Sequence, residues 1–362
     1  MSGEWRIGVD IGGTFTDIVL LGPEGRLSVR KVSSSVDDYA RAIVEGLAVA
    51  LDEAGLTAAD VADIRHGATV ASNAILERKG ARVGLIGTVG FRDVLEIRTL
   101  RMPRLYDLAW EKPKPLVPRR LRVTVPERID ANGAIVTPLD MEAAAVAIDA
   151  LVAKGVDAIA VALINAYANP AHEQALKALL AERAPGVASC ISTDVLPEIR
   201  EYERTSTTVV NCYVLPVVGA YLKSLQAGLS AAKVDAPLSL MQSSGGLTPA
   251  DAAARLPVHI IESGPAGGVV GAQALAEPLG ESSIVSFDMG GTTAKAALVI
   301  DGRAERAEEL QVGGEAIQAS RLLTGQGYSV KTRAIDLAEV GAGGGSIVWI
   351  DAGGAMQIGP ES

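Results

Sequence analysis

The chain has 362 residues, of which 48% are hydrophobic, and it carries a formal net charge of −10 with a pI of about 5.0. This length and apolar content predict two or three domains with large cores. An acidic chain with only 4% aromatic residues lacks both the electrostatic footprint and the stacking platform of a nucleic-acid-binding protein.

Two cysteines, Cys190 and Cys212, are too few and too far apart for a disulfide framework, and this favours a reducing compartment. The N-terminal residues run straight into a strand, with no signal-peptide pattern. No apolar run reaches the roughly 18 to 20 residues of a membrane span. We therefore expect a soluble, cytoplasmic protein that does not contact membranes.

In chain order, the first predicted elements are a β-hairpin around 10–17, a strand over 27–32 and a helix over 38–53. A helix running through 78 and a buried strand over 83–88 follow. Residues 99–120 are rich in Pro and Arg and predict a surface excursion or lid.

The middle of the chain alternates between helical and strand patterns. Helices are predicted over 141–154 and 170–183, on either side of an apolar strand over 157–163. This alternation predicts an α/β architecture.

The pattern then becomes helical over 196–230, where Pro216 is expected to break or kink the helix. Residues 262–268 open a helix of small residues that runs to about 276. A strand over 335–340 enters a Gly-rich turn at 341–346, and a helix is expected to start at Ser346.

Two short turns with the same residue order are the most informative motifs. The first reads Asp-Ile-Gly-Gly-Thr-Phe-Thr-Asp at 10–17, and the second reads Asp-Met-Gly-Gly-Thr-Thr-Ala-Lys at 288–295. Each lies between two apolar runs and predicts strand, tight turn, strand. Glycine allows backbone amides to approach an anion closely, threonine adds hydroxyl donors, and the acidic residue can hold Mg²⁺ directly or through water. One such turn also suits an ordinary hairpin, but two copies predict a pair of hairpins that clamp the phosphates of a nucleotide.

Motifs of other nucleotide-binding and hydrolase sites are absent from the sequence. The chain has no Gly-x-x-x-x-Gly-Lys-Ser/Thr motif, no complete Gly-x-Gly-x-x-Gly motif and no Gly-x-Ser-x-Gly motif. Three histidines and two distant cysteines make a His- or Cys-rich metal site improbable, while Mg²⁺ held by Asp and water stays open.

The order of the motifs resembles the actin/Hsp70/sugar-kinase superfamily, in which a phosphate loop, a connecting helix, a second phosphate loop and an adenosine loop follow one another. The resemblance implies an α/β fold of duplicated ribonuclease H-like lobes around a nucleotide cleft. A second connecting helix is expected after the adenosine loop, so we expect the second lobe to be incomplete and the chain to be truncated.

A more specific resemblance spans essentially the whole chain. It rests on segments beginning His-Gly-Ala-Thr-Val-Ala-Ser-Asn at 66, Glu-Ile-Arg-Glu-Tyr-Glu-Arg at 198, Met-Gln-Ser-Ser-Gly-Gly at 241, Ser-Gly-Pro-Ala-Gly-Gly at 263 and Val-Gly-Ala-Gly-Gly-Gly-Ser at 340. The chain is similar to the hydantoinase/oxoprolinase A-subunit family. The resemblance implies an N-terminal family region over 1–192 with the first phosphate loop, and an ATPase region over 193–362 with the second phosphate loop and the adenosine loop.

Members of that family are usually far longer and work with a B-type subunit, fused or separate. They use ATP to open cyclic amides such as hydantoins or 5-oxoproline, and related members carboxylate ketones. A nucleotide-binding scaffold without chemistry and a plain small-molecule kinase remain alternatives. Nothing in the sequence defines a selective substrate pocket.

We assign ATP and Mg²⁺ as cofactors. Asp10 and Asp288 are the predicted catalytic and metal-binding residues. The predicted nucleotide contacts are Gly12, Gly13, Thr14, Thr16, Gly290, Gly291, Thr292, Thr293 and Lys295 at the phosphates, and Gly343, Gly344 and Gly345 beside adenosine.

Lys295 departs from the family pattern, because many members have an acidic residue there. It is expected either to pair with a phosphate or to point to solvent. His66 and Asn73 face the cleft or are structural hydrogen-bonding residues. Glu198, Arg200, Glu203 and Arg204 are expected to form ion pairs within one helix, with an interface role as the alternative.

Overall fold

A computed structural model of the chain describes residues 4–12, 15–35, 38–99, 106, 108–290, 293–313, 327–340 and 342–359. Its α-helices are α1 (Tyr39–Glu53), α2 (Val70–Leu76), α3 (Val94–Ile97), α4 (Met141–Ala153), α5 (Ala171–Arg183), α6 (Ser192–Val195), α7 (Glu201–Ala231), α8 (Ala250–Arg255) and α9 (Ser263–Ala276).

The strands of the first part of the chain are β1 (Trp5–Ile11), β2 (Phe15–Leu21), β3 (Leu27–Ser33), β4 (Val61–Ala68), β5 (Val83–Thr88), β6 (Arg122–Val125), β7 (Arg128–Ile129), β8 (Ile135–Thr137), β9 (Ala158–Ala162), β10 (Ala188–Ile191), β11 (Leu238–Met241) and β12 (Leu247–Pro249). Those of the last part are β13 (Ile284–Met289), β14 (Ala294–Ile300), β15 (Arg303–Ala304), β16 (Arg306–Ala307), β17 (Leu310–Val312), β18 (Tyr328–Val330), β19 (Ala334–Ile335), β20 (Ala338–Val340), β21 (Val348–Ile350) and β22 (Met356–Ile358). The predicted mixed α/β class is confirmed.

The largest sheet has six strands in the order β12-β11-β4-β1-β2-β3. β1, β2 and β3 form an antiparallel meander, and β4 and β11 run parallel to β1. One face of β1 and β2 is buried, since their side chains alternate between buried and more exposed positions. Helix α1 covers part of this sheet with a stripe of Ile43, Leu47 and Leu51, and the Asp38 carboxylate caps its first turn by accepting from the amides of Ala40 and Arg41.

A second sheet is parallel throughout, in the order β10-β9-β5-β6. All residues of β5 and β9 are buried. Such uninterrupted apolar runs are expected of strands covered on both faces. The six-stranded sheet, this parallel sheet and the helices around them are called the first lobe below.

Helix α7 is the central helix of the first lobe. It begins at Glu201, so the predicted start at 196 is wrong, and it continues through Pro216 to Ala231. Val214 and Val218, on either side of the proline, are fully buried, and their packing holds the helix together across it. It is the one helix of the described residues that is long and apolar enough to cross a membrane, but 61% of its apolar window is buried inside the protein.

The third sheet is built on the hairpin β13–β14, to which both β15 and β20 add along β14. One face packs against α9, in a small core that includes Ala266, Val269, Ala297 and Val299. This sheet and α9 are called the second lobe. The opposite face of β13 is open, with Val285 64%, Phe287 65% and Met289 56% exposed.

The main core joins residues from both sides of the predicted boundary at 192/193. It runs from Trp5 to Ile261, includes many residues of α7, and takes in a later group from Ala307 to Ala334 that contains Leu310, Val312 and Val330. Strands β11 and β12 also belong to the first sheet. The proposed regions 1–192 and 193–362 therefore describe stretches of sequence, whereas the packing of the first lobe draws on residues from both.

The structure differs from the prediction of a helix at Ser346 and describes only part of the predicted lid at 99–120. No helix starts at Ser346, because the chain continues into the hairpin β21–β22. Of the predicted lid at 99–120, residues 100–105 and 107 lie outside the described residues. Its later part is anchored in the core, since Val117 is fully buried.

Candidate functional site

The first hairpin, β1–β2, places Asp10 at the end of β1 and directly across from Asp17. Its turn is closed by the Gly12 amide, which donates to the Phe15 carbonyl at 2.9 Å. Thr16, a predicted phosphate contact, is fully buried, and its hydroxyl lies 3.0 Å from that of Ser34. The Ser34 hydroxyl in turn donates to the Gly12 carbonyl at 2.8 Å, so Thr16 acts here as an internal support of the turn. Gly13 and Thr14 lie outside the described residues.

The second hairpin, β13–β14, repeats this geometry. Asp288 lies across from Lys295, and the Gly290 amide donates to the Thr293 carbonyl at 2.9 Å. The corresponding bond in the first hairpin has the same length and spacing. Thr293 is partly exposed, while Gly291 and Thr292 lie outside the described residues.

The Gly-rich loop at 342–346 is fastened to the second hairpin. The Gly344 amide donates to the Gly290 carbonyl at 2.9 Å, and the Gly343 amide donates to the Ser346 hydroxyl at 3.0 Å. Gly344 and Gly345 are exposed. The structure thus brings together the turn predicted for phosphates and the loop predicted for adenosine.

Asp10 in the first hairpin is influenced electrostatically by Asp288 in the second. The pKa of Asp10 is raised to about 6, first because surrounding protein removes much of the hydration of its carboxylate and second because Asp17 and Asp288 are negatively charged. Lys31 opposes the shift. The Asp10 side chain is still reached by solvent, as expected of a group in a cleft. This effect of Asp288 relates the second hairpin to the first, and the shared cleft between them stays a prediction.

Two glycines make room for Asp10. A β-carbon added at Gly67 would lie 2.9 Å from Asp10 Oδ1, and one added at Gly264 would lie 3.4 Å from the same atom. The start of α9 is pinned against the end of β4, because the Ala68 amide donates to Ser263 Oγ at 2.9 Å and this hydroxyl donates back to the Ala68 carbonyl at 2.8 Å. The N-terminal amides of a helix favour negative charge nearby. The start of α9 therefore places a helix N-terminus beside the Asp10 carboxylate.

Asp10 and Asp288 fit a magnesium ion that has few protein ligands. Within the described ranges, no group of three or more His, Cys, Asp or Glu side chains could hold a metal ion. Mg²⁺ commonly binds one or two carboxylates and keeps several water or phosphate ligands. Asp10 and Asp288 supply two carboxylates whose mutual repulsion a divalent cation would relieve. Their role as metal ligands stays a prediction.

Lys295 does not point to solvent. Its ammonium lies 2.6 Å from Glu262 Oε2 and 3.7 Å from Glu339 Oε1, and its side chain is 15% exposed. Burial works to lower the pKa of Lys295, but the two carboxylates raise it overall. The predicted phosphate contact of Lys295 stays a prediction, and its ammonium is engaged by carboxylates in this structure.

Sequence reasoning did not assign Gly67, Gly264, Glu262 and Glu339 to the site. The two glycines stand inside the quoted motifs, but only the packing of α9 on β4 shows why a side chain is excluded there. Glu339 lies across from Lys295 in the pairing of β20 with β14. No local sequence pattern reveals this register.

His66 is a buried structural residue. Its Nδ1 lies 3.2 Å from the Val9 carbonyl and its Nε2 lies 2.5 Å from the Tyr221 hydroxyl. Burial lowers the pKa of His66 to about 4. These partners indicate a neutral ring in which Nδ1–H donates to Val9 and Nε2 accepts from Tyr221. Asn73 is partly buried and donates to the Thr69 hydroxyl at 3.4 Å.

Among the charged residues at 198–204, one ion pair is present, between Arg200 just before the helix and Glu203 at 3.8 Å. Glu198 pairs instead with Lys331, and the fully buried Arg204 donates to the carbonyls of Leu163 and Glu198. The prediction of a set of pairs within one helix is wrong, because Glu198 and Arg200 precede the start of α7 at Glu201 and Arg204 is turned into the core.

Comparison with known proteins places these features in context. A family profile described as the hydantoinase/oxoprolinase N-terminal region matches residues 6–184, and one described as hydantoinase/oxoprolinase matches residues 204–362. The chain is 37% identical to caprolactamase subunit alpha of Pseudomonas jessenii, over 99% of this chain and 51% of that protein. It is 32% identical to 5-oxoprolinase 1 of Arabidopsis thaliana, over 100% of this chain and 30% of that protein.

Two solved structures match the chain over nearly its whole length. The ATP-dependent caprolactamase of Pseudomonas jessenii matches with a TM-score of 0.84 and 37% identity, over 99% of this chain and 51% of that chain. Nucleotide-free acetone carboxylase matches with a TM-score of 0.83 and 26% identity, over 100% of this chain and 51% of that chain. The chain thus spans about half the length of the caprolactamase relative. Since the two profiles together span nearly all of it, the chain belongs to the hydantoinase/oxoprolinase family.

Proposed function

We propose that the chain is the ATP-binding component of an enzyme that uses ATP to open a cyclic amide. The observation that carries the proposal is the matched closure of the two hairpin turns, with the Gly-rich loop bonded to the second turn. The electrostatic effect of Asp288 on Asp10 supports it. The duplicated turn geometry supports a nucleotide cleft of the actin/Hsp70 kind. The relatives named for caprolactam and 5-oxoproline favour an amide substrate.

The chemistry begins with an unreactive amide. Transfer of the γ-phosphoryl group to the amide oxygen gives ADP and an imidate-like phosphate. Water adds to the imidate carbon, the ring C–N bond breaks and the nitrogen takes a proton. The acyl phosphate so formed reacts with a second water to give the carboxylate and inorganic phosphate.

The protein's part is positioning and charge control. The Gly12 and Gly290 amides close the two turns by donating to the Phe15 and Thr293 carbonyls, so they support the turns instead of binding phosphate as predicted. The amides predicted at Gly13 and Gly291 would bind phosphate oxygens, and Thr14, Thr292 and Thr293 would add hydroxyl contacts. Asp10 and Asp288 would hold Mg²⁺, which neutralises charge on the transferred group. Gly343, Gly344 and Gly345 would lie beside adenosine. A B-type subunit as partner and a cytoplasmic location remain predictions.

A ketone carboxylase is the second candidate, and the similarity to acetone carboxylase favours it. Phosphorylation of an enolate oxygen by the same cleft would prepare a ketone for carboxylation. The cleft alone does not separate the two reactions, because it handles the phosphoryl group in both.

The test has two stages. Titration calorimetry of the chain with ATP and Mg²⁺ should show one binding site, and its absence would contradict the proposal. ATP hydrolysis by the chain with a B-type subunit should then rise with hydantoins, 5-oxoproline or lactams. A rise only with ketones plus bicarbonate would favour the carboxylase, and a stable phosphorylated product would indicate a kinase.

A further inference from the structure

A buried ion triad is centred on Lys295, a predicted phosphate contact on β14 of the second hairpin. It consists of Glu262, Lys295 and Glu339, whose side chains are 3%, 15% and 6% exposed. Lys295 donates to Glu262 Oε2 at 2.6 Å and lies 3.7 Å from Glu339 Oε1. Glu339 Oε2 is buried and has no hydrogen-bond partner among the described residues. Three charges are thus withdrawn from water at one point.

The first hairpin contains a related pair with the charges exchanged. Asp17 lies across from Lys31 on β3, and their side chains approach to 2.5 Å. At the equivalent place in the second hairpin, Lys295 lies across from Glu339 on β20. The pair in the first hairpin is 40% to 56% exposed, whereas its counterpart is buried and has acquired Glu262 as a third member.

The three members come from three segments that build the cleft. Glu262 immediately precedes Ser263 and Gly264, which pack against Ala68 and Asp10. Lys295 is on the strand that leaves the second phosphate turn. Glu339 is on β20, which leads into the Gly-rich loop whose Gly344 amide bonds to Gly290. One ammonium therefore connects the start of α9, the second hairpin and the strand before the loop.

Stability alone is a weak reason for such a triad. The desolvation of buried charges offsets most of their attraction, and apolar replacements of similar size are often no less stable. Buried ionic groups are better known for fixing the relative position of the segments that they join.

We propose that Lys295 is a positioning residue, which holds α9 and the Gly-rich loop in register with the second phosphate turn. This inference rests on the proposed function for its catalytic consequence, but its structural consequence can be measured without nucleotide. A positioning role differs from direct phosphate binding by Lys295. Positioning requires one ammonium and two carboxylates in the triad, and the ammonium can stand on either strand.

The experiment measures hydrogen–deuterium exchange of the nucleotide-free chain. Lys295→Met should speed exchange of the amides in 262–268 and 342–346 by at least about tenfold, because it leaves two buried carboxylates without a counter-ion. The matched control is Lys31→Met, which removes the exposed pair of the first hairpin and should leave both segments unchanged.

The decisive variant exchanges the charges across the two strands, as Lys295→Glu with Glu339→Lys. It should restore slow exchange, whereas Lys295→Glu alone should not. If the exchanged variant behaves like Lys295→Glu alone, the positioning role is overturned. Should the single variants fail to fold, the uncharged triple variant Glu262→Gln, Lys295→Met and Glu339→Gln avoids an unpaired buried charge. It should fold and still exchange rapidly in 342–346; slow exchange there would also overturn the proposal.

ATP binding gives a separate readout. In the exchanged variant the dissociation constant for ATP with Mg²⁺ should stay within about threefold of the wild-type value, a difference well below the tenfold that 1.4 kcal/mol represents. A loss of affinity as large as in Lys295→Met would indicate direct phosphate binding and overturn positioning. If the wild-type chain binds no ATP, the proposed function fails, while the exchange measurement still decides the role of the triad.

Discussion

At the scale of single residues, charge and burial make Asp10 and His66 the most informative positions. Both are titratable groups in the first lobe whose pKa values are displaced from their ordinary range, Asp10 upward and His66 downward. Asp10 belongs to the predicted site and is reached by solvent, whereas His66 lies in the core. The displaced pKa therefore predicts a functional effect for Asp10 and a stability effect for His66.

Asp10→Asn should lower ATP turnover by at least about a hundredfold, the scale of losing one transition-state electrostatic contact. The same change should stabilise the nucleotide-free protein at pH 7 to 8, because it removes a carboxylate that has lost much of its hydration and is also repelled by Asp17 and Asp288. Raising the pKa of Asp10 from 3.8 to about 6 corresponds to about 3 kcal/mol, and solvent screening reduces our expectation to about 1 kcal/mol.

Turnover assays and urea unfolding check both halves of the Asp10 prediction. Asp52→Asn, on the exposed side of α1, is the control and should change neither quantity. Unchanged turnover in Asp10→Asn would remove this residue from the catalytic assignment.

His66 predicts a pH dependence of stability. Its pKa is about 4 in the folded protein and about 6.5 when unfolded, so the unfolded state binds the extra proton between these values. The stabilisation is therefore complete above pH 6.5 and lost as the pH falls towards 4, by about 3 kcal/mol in total. Compared with wild type, His66→Gln should show a flatter dependence of the unfolding free energy across this window. Parallel curves for the two proteins would contradict the prediction.

Some residue assignments could be read from the sequence and others could not. The paired motifs predicted two hairpins of the same local geometry, because the same residue order in two turns indicates the same turn, and the matched turn bonds confirm this. The burial of Thr16 against Ser34 was not predictable, since it depends on a contact with the residue that follows β3. The partners of Lys295 depend on the register of β14 with β20, which is set by tertiary packing.

At the scale of elements, the start of α7 shows how a long helix is joined to the parallel sheet. Arg204 is fully buried and donates to the Leu163 carbonyl at 2.6 Å, just beyond β9. Its guanidinium also lies 5.5 Å from the centre of the Tyr167 ring. Nearby, the buried Glu173 carboxylate accepts from the Leu163 amide and the Ser192 hydroxyl and acts electrostatically on Arg204.

Arg204→Met should destabilise the protein by about 1 to 3 kcal/mol, because it leaves the carbonyls of Leu163 and Glu198 without their charged donor. Chemical denaturation measures this directly. Arg200→Met is the matched control, since Arg200 is exposed and its ion pair spans 3.8 Å; its cost should stay below about 1 kcal/mol. Equal effects of the two substitutions would refute this account of the α7 junction.

Most helices and strands were predictable because their patterns are local. The helix at 141–154, the strand at 157–163 and the helix at 170–183 appear within a residue or so as α4, β9 and α5. The helix predicted at Ser346 was wrong, and of the break or kink predicted at Pro216 the break is absent, for a shared reason. In both cases tertiary contacts, with β22 or with the core around α7, outweighed a local signal.

At the scale of the whole molecule, the two hairpins have equivalent geometry and very different surroundings. In the first lobe, Ile7, Val9 and Ile11 of β1 are almost fully buried. Their equivalents in the second lobe are Val285, Phe287 and Met289, which are more than half exposed. The same alternating pattern therefore faces a core in one lobe and solvent in the other.

This difference predicts the behaviour of the chain in solution. An open apolar strip on a sheet should bind the dye ANS and favour self-association. The double variant Val285→Thr and Phe287→Thr should reduce both effects while keeping residues that favour strands, and its free energy of unfolding should change by less than about 1 kcal/mol. Val9→Thr, at the position equivalent to Phe287, should instead cost about 1 to 3 kcal/mol, because it buries a hydroxyl in the core. Light scattering, ANS fluorescence and urea unfolding of the three proteins decide the matter. If the double variant were destabilised as strongly as Val9→Thr, the strip would have to be packed in solution, and the inequality of the two lobes would be refuted.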